Sequence, residues 1–224
     1  MEQIGFLGAY DKKDLLINVA TVLTSAGKSV LIVDATSVQR MRYVVPNIST
    51  NQSFSYVSEY AKIDVALGFM TLNNVAQYLR RNLDYDYILI DSDNPQTMNS
   101  FGIQGMKKIF FVTSYEQYDM LKGAELLRFV QMPIEVVKVI STTNMNDAED
   151  KLLNSKVTNS NIKWSNSRVE FSDLDVDRMA ILKNQFSKQI TFKSFSKDYK
   201  QWLEYLVNII TDNTIDSNRI IKRI

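Results

Sequence analysis

Cysteine and histidine are both missing from this chain of 224 residues. Without a thiol or an imidazole there is no disulfide, no cysteine nucleophile, no Cys/His zinc site and no histidine acid–base step. Any catalysis must run on carboxylates, lysines, hydroxyls or a hard metal such as Mg²⁺ held by carboxylates. Glycine (7) and proline (3) are scarce, and no Gly/Ser/Pro-rich stretch or internal repeat divides the sequence. Residues 1–224 are therefore read as a single domain. No apolar run approaches the roughly 20 residues that span a bilayer. The opening "MEQIGFLGAYDKKDLL" lacks the basic-then-apolar order of a signal peptide, so a cytoplasmic location is expected. Charge of neither sign dominates, with 26 basic residues against 25 acidic ones. That balance gives no whole-molecule pull toward nucleic acid or anionic membrane, so nucleic acid is not an expected partner.

What the sequence does contain is a core: hydrophobic residues make up 45% of it. They fall into short unbroken runs that alternate with helical spacing. Ile4–Gly8 reads as a strand, and Asp14–Ala26 then places Leu15, Val19, Val22 and Leu23 on one helical face. Gly27 is a natural helix terminator, and "SVLIVDA" follows as a second strand. "YDYILIDS" (85–92), "KKIFFVTS" (107–114) and "IEVVKVIST" (134–142) are further strands, with a helix at Gln117–Val130. Strands that lack alternation and are separated by helices predict a parallel sheet covered on both faces. The expected architecture is thus α/β in three layers, mostly parallel. Residues 43–62 read as a loop with a short helix, Leu72–Leu83 as a helix, and 151–168 as a loop and edge strand. Near the end, Tyr199, Trp202, Leu203, Leu206 and Ile210 recur at helical spacing and read as core contacts.

Three segments, in this order, resemble the ParA/MinD family of P-loop ATPases. "IGFLGAYDKKDLLINVATVLTSAGKSVLIVDAT" is similar to the family's opening unit, where K-G-G-x-G-K-T-T leads into a helix and a strand ending "DAD". "YDYILIDSDNP" looks like its Walker B strand. "KKIFFVTSYEQYDMLKGAELLRFV" is similar to the strand and helix that follow, where a partner often selects the protein. The tail "FSKDYKQWLEYLVNII" further resembles the last helix of the atypical pole-localising proteins of tight-adherence (Tad/Flp) pilus systems. The resemblance implies a P-loop NTPase-like fold, protein partners in a positioning, pilus, secretion or partition assembly, and a homodimer.

The same resemblance places the phosphate loop at Leu7–Asp14, where the sequence departs from the pattern. Gly8 keeps a glycine, and Lys12 stands at the phosphate-gripping lysine. Leu7 replaces the lysine that reaches across the dimer, Ala9 and Asp11 replace glycines, and Lys13 replaces the Mg²⁺-binding threonine. Such a loop binds phosphate because glycines let backbone N–H groups converge on an anion at a helix start. Here Asp11-x-x-Asp14 reads instead as an N-cap with an acidic third position, putting carboxylates where a phosphate would sit. Asp11 would also pay to adopt a glycine conformation.

Asp34 and Asp91 end two parallel strands, at the crest where ligands bind in such sheets. They either hold Mg²⁺ through water or cap turns. Thr36 replaces the second family aspartate, Pro95 matches a family proline, and Ser141, Thr142 and Thr143 lie where the family places an adenine-reading Asn. The reading that follows is a non-hydrolysing scaffold or positioning protein with no cofactor expected. One alternative is a Mg²⁺-dependent ATPase that retains a nucleotide site at Gly8, Lys12, Lys13, Asp34 and Asp91. The other is a DNA-associated partition protein. The basic, isoleucine-rich ending "DSNRIIKRI" resembles tails that dock some MinD-like proteins on the inner face of a membrane, which would add a weak peripheral contact.

Overall fold

The computed structural model describes residues 1–46, 54–142, 147–172 and 174–224. Its strands are β1 (Glu2–Leu7), β2 (Val30–Asp34), β3 (Tyr56–Tyr60), β4 (Ile63–Leu67), β5 (Tyr87–Ser92), β6 (Lys108–Ser114), β7 (Ile134–Ser141) and β8 (Ile162–Phe171). All eight belong to one sheet in the order β3-β4-β2-β5-β1-β6-β7-β8. Every pairing is parallel except β3 with β4. The helices are α1 (Lys13–Ser25), α2 (Leu72–Leu79), α3 (Pro95–Ser100), α4 (Gln117–Leu127), α5 (Asp147–Lys156), α6 (Asp175–Ser187), α7 (Lys197–Thr211) and α8 (Ser217–Ile221).

Two apolar clusters lie on opposite faces of the sheet. One takes Leu16, Val19 and Leu23 of α1, Ala180 of α6, Leu203 and Leu206 of α7 and Ile221 of α8. The other takes Val75 of α2, Met98 of α3, Leu127 of α4 and Leu153 of α5. This is the three-layer α/β arrangement that the unbroken apolar strands require. Tyr199 and Trp202 are core residues, packed edge to face with ring centroids 4.5 Å apart, and Asn18 donates to the Tyr199 hydroxyl at 2.5 Å.

Several expectations need correction. The 43–62 stretch is neither loop nor helix in its second half. A 3₁₀ turn at Arg40–Tyr43 precedes it, and β3 occupies Tyr56–Tyr60; residues 47–53 lie outside the described ones. The helix read as Leu72–Leu83 stops at Leu79, because Arg80 turns left-handed at its C-cap (φ 53°). Of the loop expected from residue 151, 151–156 are instead the end of α5, while 157–161 are the loop and β8 is the edge strand anticipated there. The tail isoleucines turn inward: Ile221 is buried, Ile220 and Ile224 pack against the core, and Thr191 Oγ1 donates to the Ile224 carbonyl at 2.5 Å. The apolar side that would enter a membrane is spent inside the protein.

β3 and β4 escape sequence reading because their turn is unorthodox. Tyr60 pairs with Ile63, so the hairpin closes on Ala61 and Lys62 alone, and both have positive φ (51° and 68°). A two-residue hairpin of this kind favours Asn-Gly, whose residues adopt positive φ with little strain. The pair Ala61→Asn, Lys62→Gly is therefore expected to raise stability by about 1 kcal/mol. Urea midpoints compared at an unchanged denaturant slope would measure it.

Candidate functional site

The crest of the sheet gathers the C-terminal ends of β1, β2 and β5, and the β1–α1 loop lies across it. Gly8 continues the β1 edge, donating to Ser92 O at 3.2 Å. Its φ is +131°, and a Cβ there would stand 2.1 Å from the carbonyl oxygen of Val112 in β6. This glycine is required by the approach of the neighbouring strand. Neither Ala9 nor Asp11 has positive φ, so the strain expected at Asp11 does not arise.

Lys12 curls back into its own loop. Its Nζ donates to Gly8 O at 2.6 Å and to Tyr10 O at 3.1 Å, and lies 2.9 Å from Asp91 Oδ1. Both side chains are almost sealed from water, 1% exposed for Lys12 and 4% for Asp91. Burial pushes the Asp91 carboxyl up to about 7; the Lys12 charge pulls it down and the neighbouring Asp34 carboxylate pushes it up. Asp34 and Asp91 are directly paired positions of β2 and β5. Asp34 accepts from Thr36 N (3.1 Å), Thr36 Oγ1 (2.5 Å) and Met41 N (3.1 Å). Burial raises its pKa, outweighing those bonds. The turn-capping alternative thus describes how Asp34 is engaged, while Asp91 is engaged by Lys12.

Over the loop lies a mesh of charges. Lys13 Nζ sits 2.7 Å from Asp11 Oδ2 and 3.1 Å from Asp14 Oδ2, and Arg40 Nη1 reaches Asp11 Oδ2 at 3.0 Å. Burial works against the Asp11 carboxylate, but Lys13 and Arg40 outweigh it and lower its pKa. Burial likewise works against the Lys13 ammonium, and Asp14 and Asp11 outweigh it and raise its pKa. The expected capping box is displaced by one residue. Lys12 is the N-cap and uses no side chain for it, while Asp11 Oδ1 accepts from Lys13 N at 3.2 Å. Asp14 also accepts from Gln185 Nε2 of α6 at 2.7 Å, through its other carboxylate oxygen.

A cleft of about 300 Å³ above the loop is lined by Lys12, Asp34, Thr36, Asp91 and residues the sequence reading did not single out, among them Arg40 and Lys122. Ser37 N donates to Asp93 Oδ1 at 2.9 Å, tying the two strand-end loops together. No spacing rule marks Arg40 or Lys122, since tertiary packing alone brings them to the cleft. Pro95 occupies the first turn of α3, whose cap is the Asn94 side chain. Ser141 closes β7 and Thr142 follows it, while Thr143 lies outside the described residues. Among the described residues, no group of three or more acidic side chains is arranged to hold a metal ion.

No protein-family model matches the sequence, and no curated protein sequence matches it. Solved structures do. MinD in the MinC:MinD cell division complex of Aquifex aeolicus superposes with a TM-score of 0.59 at 12% identity, covering 96% of this chain and 98% of that one. A ParA family ATPase from Chlorobium tepidum TLS gives 0.54 at 14%, with 93% and 98% covered. A protein assigned to plasmid partition from Borrelia burgdorferi B31, bound to AMPPNP, gives 0.53 at 12%, with 96% and 100% covered. The whole chain therefore has the fold of ParA/MinD ATPases. Identity this low reports the fold and nothing finer.

Proposed function

We propose that this protein is a ParA/MinD-like scaffold or positioning factor whose phosphate loop is a structural plug, and that it works through protein contacts without hydrolysing ATP. The observation that carries this reading is the buried Lys12–Asp91 pair, with Lys12 also bonded to two carbonyls of its own loop. For Lys12 to grip a phosphate it would have to give up Asp91 and both loop carbonyls, leaving Asp91 buried without its cation and forced to take up a proton. The mouth of the loop presents Asp11, and the position of the Mg²⁺-binding hydroxyl holds a Lys13 ammonium already paired with two carboxylates. The residues present do not suit a Mg²⁺-nucleotide.

Partners are read as proteins of a pilus, secretion or partition assembly. The resemblance of the β6–α4 unit to a partner-selected segment supports this, and the balanced charge argues against a DNA partner.

A ligand at 100 times its dissociation constant stabilises the native state by about 2.7 kcal/mol, which a thermal scan detects readily. Millimolar ATP, ADP or GTP with Mg²⁺ is expected to leave the melting temperature unchanged, with phosphate release at background. A clear shift together with hydrolysis abolished by Lys12→Ala would establish instead the Mg²⁺-dependent ATPase built on Lys12, Asp34 and Asp91.

A further inference from the structure

A second cleft, of about 420 Å³, opens beside the loop, between the start of α1, the end of β8 and helices α6 and α7. Small-molecule sites span roughly 300–1,000 Å³, so this volume suits one. Its floor is aromatic. The Tyr10 and Phe171 rings lie 5.8 Å apart, Phe171 and Trp202 5.0 Å, and Tyr199 and Trp202 4.5 Å. Trp202 is only 7% exposed, and its indole N–H, sealed from water, meets no acceptor among the described residues. Buried tryptophan N–H groups normally have a partner.

The charges around this cleft are already spent. Asp11, Asp14 and Asp177 line it together with Lys13, Arg40 and Arg178, three acids against three bases. Lys13 holds Asp11 and Asp14, and Arg40 holds Asp11. Asp177 accepts from Ser196 N at 2.7 Å and from Ser196 Oγ at 2.8 Å, and Arg178 is not free either. A charged ligand would find no unclaimed counter-charge, whereas a neutral one breaks no pair. Gln185 gives its Nε2 to Asp14, and its carbonyl oxygen accepts nothing among the described residues. The lining thus offers one uncommitted donor, the Trp202 N–H, and one acceptor, Gln185 Oε1, beside apolar surface from Leu15 and Ile181.

We propose that this cleft binds a neutral amide carrying a bulky apolar group. The amide carbonyl accepts from Trp202 Nε1, its N–H donates to Gln185 Oε1, and the apolar group lies against the aromatic floor. A free aromatic amide and an internal apolar residue of another protein share this chemistry. Neither Lys12 nor Asp91 lines the cleft, so the site does not depend on how the loop is read.

The chain has two tryptophans, and Trp164 packs on the opposite face of the sheet, so its indole N–H is an internal control. Proton–nitrogen correlation spectra of the whole protein, with the indole signals assigned through Trp164→Phe, would be followed as N-acetylphenylalaninamide is added to tens of millimolar. The expected result is a saturable downfield movement of the Trp202 signal alone. N-acetylglycinamide, which lacks the apolar group, and zwitterionic phenylalanine should each bind at least tenfold more weakly. Trp202→Phe keeps an aromatic ring and loses the N–H, so it should bind N-acetylphenylalaninamide about fivefold more weakly, read from the ligand's own signals. Circular dichroism would verify its fold, and the wild-type titration needs no variant. Benzamide separates the two sources: affinity equal to that of the capped residue supports a free amide, and affinity at least tenfold lower supports an internal residue of a protein. A Trp202 signal that does not move overturns the proposal, as does an unchanged affinity in folded Trp202→Phe. So does movement that N-acetylglycinamide or phenylalanine produces as readily, or adenosine binding more tightly than any amide. The thermal scan with nucleotides reports on the loop separately.

Discussion

Replacing Lys12 with methionine is expected to lower the unfolding free energy by about 1–2 kcal/mol at pH 8, because Asp91 without its cation must stay protonated, at about 1.4 kcal/mol for each pH unit above its wild-type pKa. Methionine nearly matches the lysine stem in volume, so the loss reports charge more than packing. A lysine whose role is to grip a ligand would behave differently: its removal would cost binding and leave the nucleotide-free protein about as stable as before. The effect should also depend on pH in a defined direction. Asp91 titrates near 7 in the folded protein, against roughly 3.9 when unfolded. Its folded pKa is raised, so the stability it contributes is fully present below about pH 4 and is lost as pH rises through about 7. Removing Lys12 takes away the charge that holds this pKa down, so it climbs further. The deficit of Lys12→Met against the wild type should therefore be small near pH 5, where Asp91 is protonated in both proteins, and should grow above pH 7. Urea unfolding at pH 5, 7 and 8.5 would measure it.

Gly8→Ala should be more damaging still, by more than about 4 kcal/mol or with loss of soluble protein altogether. The added methyl would meet the Val112 carbonyl at 2.1 Å, and β6 is an interior strand that cannot retreat without breaking its own ladders. Positive φ adds to the strain. Gly27→Ala serves as the control. Gly27 also has positive φ (81°), but no atom lies within 4 Å of the methyl it would gain, so only about 1–2 kcal/mol is expected. Soluble yield and urea midpoints of the two variants separate steric exclusion from backbone preference. A severe effect at Gly8 in the absence of any nucleotide would show that packing against β6 alone requires this glycine.

These two residues also show how far the sequence could be read. The interior strands β1, β2, β5, β6 and β7 were legible because burial on both faces leaves unbroken apolar runs, such as "LIVD" and "YILID". β3 and β4 were not, since they turn on Ala61 and Lys62, which carry none of the usual hairpin chemistry. At the loop, Lys12 and Gly8 were recognisable from their spacing to α1. Their roles were not, because the Asp91 contact depends on the β1–β5 register and the Val112 contact on the approach of β6. Likewise Asp11 and Asp14 were visible as acids at a helix start. Arg40 and Gln185, which fix where those acids point, come from distant segments.

In the nucleotide-free protein Lys12 is the partner of Asp91. A double-mutant cycle in stability with Lys12→Met and Asp91→Asn, in nucleotide-free buffer at pH 8, addresses it most directly. Each single variant should be destabilised and the double variant should recover much of the loss, with a coupling of about 1–2 kcal/mol. Single variants as stable as the wild type, with a coupling near zero, would contradict it.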